Sequence, residues 1–216
     1  MTATRRIGLL GGTFDPIHSG HLDVARAAQR ELDLTAVHVL PANVPPHRPQ
    51  PVASAFHRFA MAALAVAGVK AWRVSDLELR MPPPSYTAHT LRHYHARGYA
   101  PDELFFVLGA DAFQEIHHWH DYPAILAAAR FVVVSRPGYE PVRVSDRALF
   151  IEAPTADVSS SAIRRARAEG RSIDGMVPPA VRQHIEQHGL YTPMPPDRRP
   201  EERRAHLAAD TLHGQE

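Results

Sequence analysis

The chain contains no cysteine. Disulfides, thiolate metal sites and a cysteine nucleophile are therefore excluded, and a reducing compartment, the cytoplasm, is the expected setting. An excess of one charge is missing too: 24 Lys and Arg stand against 23 Asp and Glu, a formal charge of +1. Bulk electrostatics gives no reason to expect nucleic acid or an anionic membrane as partner, so any handling of anions must come from local groups. No run approaches the ~18 apolar residues of a membrane helix. The opening stretch has two arginines and a short apolar run, but the run breaks at once at Gly11-Gly12, too soon for a secretory signal. There is no internal repeat.

What is present is an alternation of short apolar runs with helical patterns. Ile7–Leu10, Ala36–Leu40, Trp72–Leu77, Leu104–Leu108, Phe131–Val134 and Leu149–Glu152 are expected to be strands. Between and after them, Gly20–Leu32, Ala55–Ala67, Thr87–Ala96 (capped by Ser85), Tyr122–Ala129, Ser159–Glu169 and Pro178–His188 are expected to be helices. Asn43–Pro51 holds four prolines and must be a loop. The alternation predicts an α/β fold, a doubly wound, Rossmann-like parallel sheet with helices on both faces. Residues 1–191 are expected to form one domain, and 192–216 a polar, mostly disordered tail.

The first strand leads into Gly11-Gly12-Thr13-Phe14-Asp15-Pro16-Ile17-His18-Ser19-Gly20-His21. Strand, glycine turn and helix start are the usual parts of a phosphate site, because free amides and the helix dipole attract anions there. The glycines fit neither a Walker loop nor a dinucleotide fingerprint. The distinguishing feature is His18 and His21, three residues apart where a helix begins and so able to face one side. One surface and one near-core histidine would also fit, since the chain has 15 histidines. A zinc pair is a third reading, but no third ligand of the usual kind stands nearby. Position after a glycine turn at the first strand end favours phosphate. Near the end of the chain, Ser159, Ser160 and Ser161 open a helix that carries Arg164. One serine suffices as a cap; the others, with Arg164, could hold a phosphate by charge-assisted hydrogen bonds. Arg165 and Arg167 are expected to be solvated.

At these two segments the chain resembles the nucleotidyltransferase superfamily with the HxGH motif. GGTFDPIHSGHL looks like its signature and VSSSAIR like its SSxxIR-type partner. PANVPPHRPQP, PSYTAHTL, LGADAF, Trp119 with Tyr122, FVVVSRPGY and the closing HGLYTP narrow the resemblance to bacterial nicotinate-nucleotide adenylyltransferases. It covers roughly Arg6 to Tyr191.

The resemblance implies an enzyme that joins nicotinate mononucleotide to the AMP part of ATP, giving nicotinate adenine dinucleotide (deamido-NAD) and pyrophosphate in NAD biosynthesis. It implies that His18 and His21 bind ATP phosphates and stabilise charge on the α-phosphate, with Arg164 also catalytic. Ser160, Ser161 and Arg164 would cradle the outer phosphates. Gly11, Gly12, Thr13 and Phe14 would line the nucleotide floor, and Gly109 and Asp111 the ribose or adenine side. Thr87 and Trp119 would recognise the pyridine ring and its carboxylate, while Arg48 and Arg136 face phosphates. The implied cofactor is Mg2+ carried by the ATP phosphates, with no protein ligand named. His89 departs from the family pattern, where a short polar residue is common two positions after the threonine of the SYT motif.

The residues also admit plainer roles. Trp119 could be a core tryptophan, Asp111 a helix cap, and Pro45–Pro49 a rigid spacer rather than an arm delivering Arg48. Two other enzymes of the superfamily compete, a pantetheine-phosphate adenylyltransferase and a cytidylyltransferase; chain length, the Ser85-Tyr86-Thr87 motif and Trp119 argue against both. A non-catalytic nucleotide sensor is a rival of another class. The oligomeric state, a homo-oligomer included, is not fixed by the sequence.

Overall fold

The computed structural model describes residues 5–46, 49–138 and 148–193. Six parallel strands form one sheet: β1 (Ile7–Gly12), β2 (Ala36–Pro41), β3 (Trp72–Val74), β4 (Leu104–Gly109), β5 (Arg130–Ser135) and β6 (Ala148–Glu152), in the order β3-β2-β1-β4-β5-β6. The doubly wound fold expected from the alternation is present. The central strands are apolar along their length because both faces are covered, which leaves no water-facing side to make polar.

One face packs α1 (Ser19–Glu31), α2 (Ala55–Val66), α7 (Ser160–Ala168) and α8 (Pro179–Gln187), burying Leu22, Ala25, Met61, Ala62, Ile163, Val181 and Ile185. The other packs α4 (Thr87–Ala96), α5 (Ala110–Gln114) and α6 (Ala124–Ala128), burying Leu91, Tyr94, Phe113 and Ile125. From β1 the chain moves to β2 on one side; β4 continues to β5 on the other. The strand order therefore reverses between β1 and β4, and in such sheets the crevice at the strand carboxyl ends is where ligands bind. Gly12, Pro41, Gly109 and Ser135 end their strands on that edge.

Three expectations are corrected. Only Trp72–Val74 of the expected Trp72–Leu77 strand pairs in the sheet; Leu77–Arg80 forms a helical turn, α3. That turn buries the Glu78 carboxylate, which accepts a 2.7 Å hydrogen bond from Thr90 Oγ1 in α4. Its burial raises the Glu78 pKa, with the Thr90 and Ser85 hydroxyls opposing. Ser85 does not cap α4. The cap position is Tyr86, without a side-chain bond, and Ser85 Oγ accepts from Asn43 N at 2.8 Å, tying the loop after β2 to the start of α4. The helix expected over Tyr122–Ala129 is confined to Ala124–Ala128. The 192–216 tail falls outside the described residues from position 194 on.

Candidate active site

The loop leaving β1 passes beneath the edge of the sheet and returns as α1. Its backbone approaches neighbours closely enough at two points that an added side chain would crowd them. A Cβ on Gly11 would stand 2.9 Å from Phe106 Cζ, and one on Gly20 would stand 3.1 Å from Ala156 O and 3.3 Å from the His18 ring. Gly20 thus serves close contact between α1 and the segment after β6. Phe14 takes the left-handed region, at φ 52°, which costs a bulky residue energy and so marks a conformation imposed by its surroundings. Its side chain is buried, and its ring meets that of His21 at 85° with 5.1 Å between centroids.

His18 precedes the first residue of α1 and His21 lies in its first turn. Their rings stack at 3.7 Å between centroids and 29° between planes. The His18 amide donates to His21 Nδ1 at 3.2 Å. That bond makes Nδ1 the acceptor, so neutral His21 carries its proton on Nε2. His18 is 7% exposed and its Nδ1 is buried without a hydrogen-bond partner. Burial pushes the His18 pKa down to about 4, with the Asp23 carboxylate pulling weakly the other way. The free protein therefore holds this imidazole neutral, and a polar atom left unpaired in the interior is a cost that an arriving ligand can remove.

The serine-rich segment meets this loop directly. Ser159 caps α7 by accepting from Ala162 N at 3.1 Å, which leaves Ser160 and Ser161 for other work. Ser160 Oγ donates to Pro16 O at 2.9 Å. Arg164 donates to Asp15 O at 2.7 Å and to Ser161 Oγ at 3.3 Å. Asp23 closes the contact from the other side by accepting from Ala156 N at 3.0 Å. Two segments 140 or more residues apart in sequence are thus joined around His18, and the starts of α1 and α7 lie together.

Beneath them lies a buried polar node that the sequence reading did not single out. Asp15 accepts from Val52 N, Ala53 N and the Tyr191 hydroxyl at 2.8, 3.0 and 2.8 Å. Desolvation and the Asp15 charge push the Tyr191 pKa up, so the phenol stays a donor. Arg58, 1% exposed, donates to four carbonyls, those of Thr13, Ala42, Asn43 and Ala53, and so binds the loops after β1 and β2 to α2. Desolvation lowers the Arg58 pKa while Asp15 opposes it. In sequence Arg58 is one arginine in an alanine-rich helix. Its partners are backbone atoms, which leave no signature in a sequence.

The remaining site residues lie farther along the same edge. Gly109 ends β4, and a Cβ there would meet nothing within 4 Å, so space opens above it. Asp111 is exposed in the first turn of α5 and is not its cap, which is Gly109. Trp119 packs edge-on against Phe106, the residue that also touches Gly11, with centroids 5.9 Å apart. Thr87 starts α4, and the neighbouring Tyr86 stacks on His120 at 4.3 Å, bringing the Thr87 and Trp119 segments together. His89 lies against the same two rings, at 5.4 Å from Tyr86 and 5.9 Å from His120. Arg136, just beyond β5, pairs with Asp157 at 2.7 Å, on the approach to α7. Arg48 lies outside the described residues.

Comparison with known proteins places this arrangement. A family model described as cytidylyltransferase-like matches residues 9–166. A "Probable nicotinate-nucleotide adenylyltransferase" from Thermus thermophilus is 47% identical over 188 residues, covering 86% of this chain and 99% of the relative. One of the same name from Cronobacter sakazakii is 37% identical, covering 85% and 94%. Among solved structures, Plasmodium falciparum nicotinic acid mononucleotide adenylyltransferase complexed with NaAD superposes with a TM-score of 0.67 over 87% of this chain and 97% of that one. At 18% identity that likeness speaks to the fold alone.

Proposed function

Because the chain belongs to the cytidylyltransferase-like family and is a nicotinate-nucleotide adenylyltransferase, we infer that the strand-end crevice binds ATP over His18, His21 and α7 and nicotinate mononucleotide toward Trp119. The product is nicotinate adenine dinucleotide, with pyrophosphate released. The observation that carries the assignment of the site is the junction of the His18 loop with the start of α7.

The chemistry asks little of a protein nucleophile. The mononucleotide phosphate is already an anion. One of its oxygens attacks the α-phosphorus of ATP, one oxygen–phosphorus bond forms, the bond to the pyrophosphate oxygen breaks, and no proton need move. What must be supplied is in-line alignment and relief of negative charge. His21 offers its Nε2 proton toward the phosphates. His18, neutral in the free protein, gains its proton beside them, because adjacent negative charge raises an imidazole pKa. Ser160, Ser161 and Arg164 hold the outer phosphates at the start of α7, where backbone amides add to the attraction. Arg164 exchanges its bond to Ser161 for the ligand and keeps the one to Asp15 O. Gly11, Gly12, Thr13 and the Phe14 backbone form the floor, and Gly109 and Asp111 hold the adenosine side. Thr87 and Trp119 receive the pyridine carboxylate and ring, with Arg48 and Arg136 turned to phosphates.

The reaction uses a divalent metal, and the donor set fits Mg2+ carried by the ATP phosphates. Asp15, in the loop before His18, spends both carboxylate oxygens on Val52, Ala53 and Tyr191. When bound, the metal neutralises charge on the triphosphate. The transferase domain spans residues 1–191. The cysteine-free chain fits a reducing compartment, and the cytoplasm is the one proposed. Pyrophosphate release with ATP and either nicotinate or nicotinamide mononucleotide tests the assignment: the acid is expected to react faster. No release with either would overturn it, and release only with phosphopantetheine or with CTP would hand the site to another member of the superfamily.

A further inference from the structure

On the face of the sheet that carries α1 and α7, α2 and α8 lie against each other and bring three imidazoles together. His57 stands in the first turn of α2, His184 near the end of α8, and His188 one turn further on, at its C-cap. His57 Nδ1 and His184 Nε2 face each other at 3.1 Å. The ring centroids of His184 and His188 are 4.4 Å apart, and those of His57 and His188 4.9 Å. One nitrogen from each of the three lies within 4.8 Å of the other two, and among the described residues no other group of three histidines or acids is assembled this way. None of the three belongs to the crevice described above.

We propose that His57, His184 and His188 form a binding site for one divalent transition-metal ion of the zinc class. Imidazole is the ligand such ions take when thiolate is absent, and three protein nitrogens with water in the remaining position is an established coordination pattern. With metal–nitrogen bonds of roughly 2.0–2.1 Å, tetrahedral ligand nitrogens stand about 3.4 Å apart. One edge is already at 3.1 Å. The other two close by side-chain rotation, which the exposed position of His188 permits. The spacing of His184 and His188, i and i+4 on α8, puts both rings on one helix face.

The site has a structural consequence. Val52 and Ala53, just before α2, and Tyr191, just after α8, all bind Asp15. An ion that fastens α2 to α8 also fastens the two segments that grip the loop below His18.

The experiment uses the untagged full chain, stripped with a chelator and titrated with ZnCl2 by calorimetry, with CoCl2 absorption as a second readout. The expected result is one ion per chain at micromolar affinity or tighter, Co2+ bands of low-symmetry four-coordinate type, and a Tm that rises with zinc. His188→Gln, at an exposed position, should weaken binding by at least tenfold and abolish the Tm rise. His117→Gln with His120→Gln, at the other histidine-rich stretch, should change neither. If the wild type binds no zinc, if binding is multiple and weak, or if His188→Gln and His184→Gln bind as the wild type does, the facing nitrogens share only a proton and the proposal fails.

Discussion

The two ends of the crevice are built by different means. At the phosphate end most groups are fixed by directional bonds to backbone: His21 to the His18 amide, Ser160 to Pro16 O, Arg164 to Asp15 O, and Asp15 and Arg58 below to loop amides and carbonyls. At the pyridine end the groups meet ring against ring, Trp119 on Phe106 and Tyr86 on His120. Hydrogen bonds set position to within tenths of an ångström, whereas apolar contacts set proximity and leave orientation looser. The contrast matches the demands of the reaction. In-line displacement at phosphorus loses rate steeply with misalignment, and a pyridine ring needs only a face to lie on.

The comparison breaks most severely at Arg58. Replacing it in Arg58→Met takes a charged donor from four carbonyls, two of them in buried bonds, and leaves Asp15 with Arg164 as its remaining cationic neighbour. A loss of about 3 kcal/mol or more in urea unfolding is expected. A loss under about 1 kcal/mol would mean that the phosphate end does not depend on this tie. His18→Ala comes next and separates chemistry from support. Turnover should fall by about 10²-fold, the scale for one lost transition-state donor, while mononucleotide affinity and Tm stay near the wild-type values. An unchanged kcat in steady-state kinetics would remove His18 from the mechanism.

Acid probes the same residue without changing its size. The folded protein holds the His18 pKa at about 4, below the ordinary 6.5, so between those values it binds fewer protons than the unfolded chain. Stability is complete above pH 6.5, falls as the pH drops toward 4 and levels off below. By pH 5 this one group should cost about 2 kcal/mol. His38, whose burial also brings it to about 4, adds to the slope and is common to wild type and variant. Denaturation at pH 7 and pH 5 should therefore show a smaller acid loss in His18→Gln than in the wild type; equal losses would contradict a neutral, buried His18. The mildest effect is expected at the pyridine end. Trp119→Ala should weaken nicotinate mononucleotide by about tenfold, the range for one aromatic stacking partner, and ATP hardly at all. Equal losses in calorimetry would make Trp119 a packing residue and erase the contrast between the two ends.

The same contrast decides what was legible before folding. Periodicity of apolar residues placed all six strands within a few positions, most closely the central ones, which are buried on both faces and carry their own signal. It overran at Ser75–Leu77, where the strand stops at Val74 and the chain turns into α3, whose Glu78 faces inward to Thr90. It also assigned Ser85 to the wrong partner, since a serine before a helix looks like a cap whether or not a distant amide claims it.

By itself the sequence determined the alternation of strand and helix, and with it a parallel sheet with a crevice at its switch point. It also supplied the two motifs, since glycines, imidazoles and hydroxyls adjacent in the chain stay adjacent in space. Tertiary structure alone decided that those motifs meet, that Asp15, Arg58 and Tyr191 hold them together, that His18 is neutral, and that three histidines from two helices converge. Each of these depends on burial or on contact between residues far apart in the chain, and both arise only when the sheet and its helices close around one another.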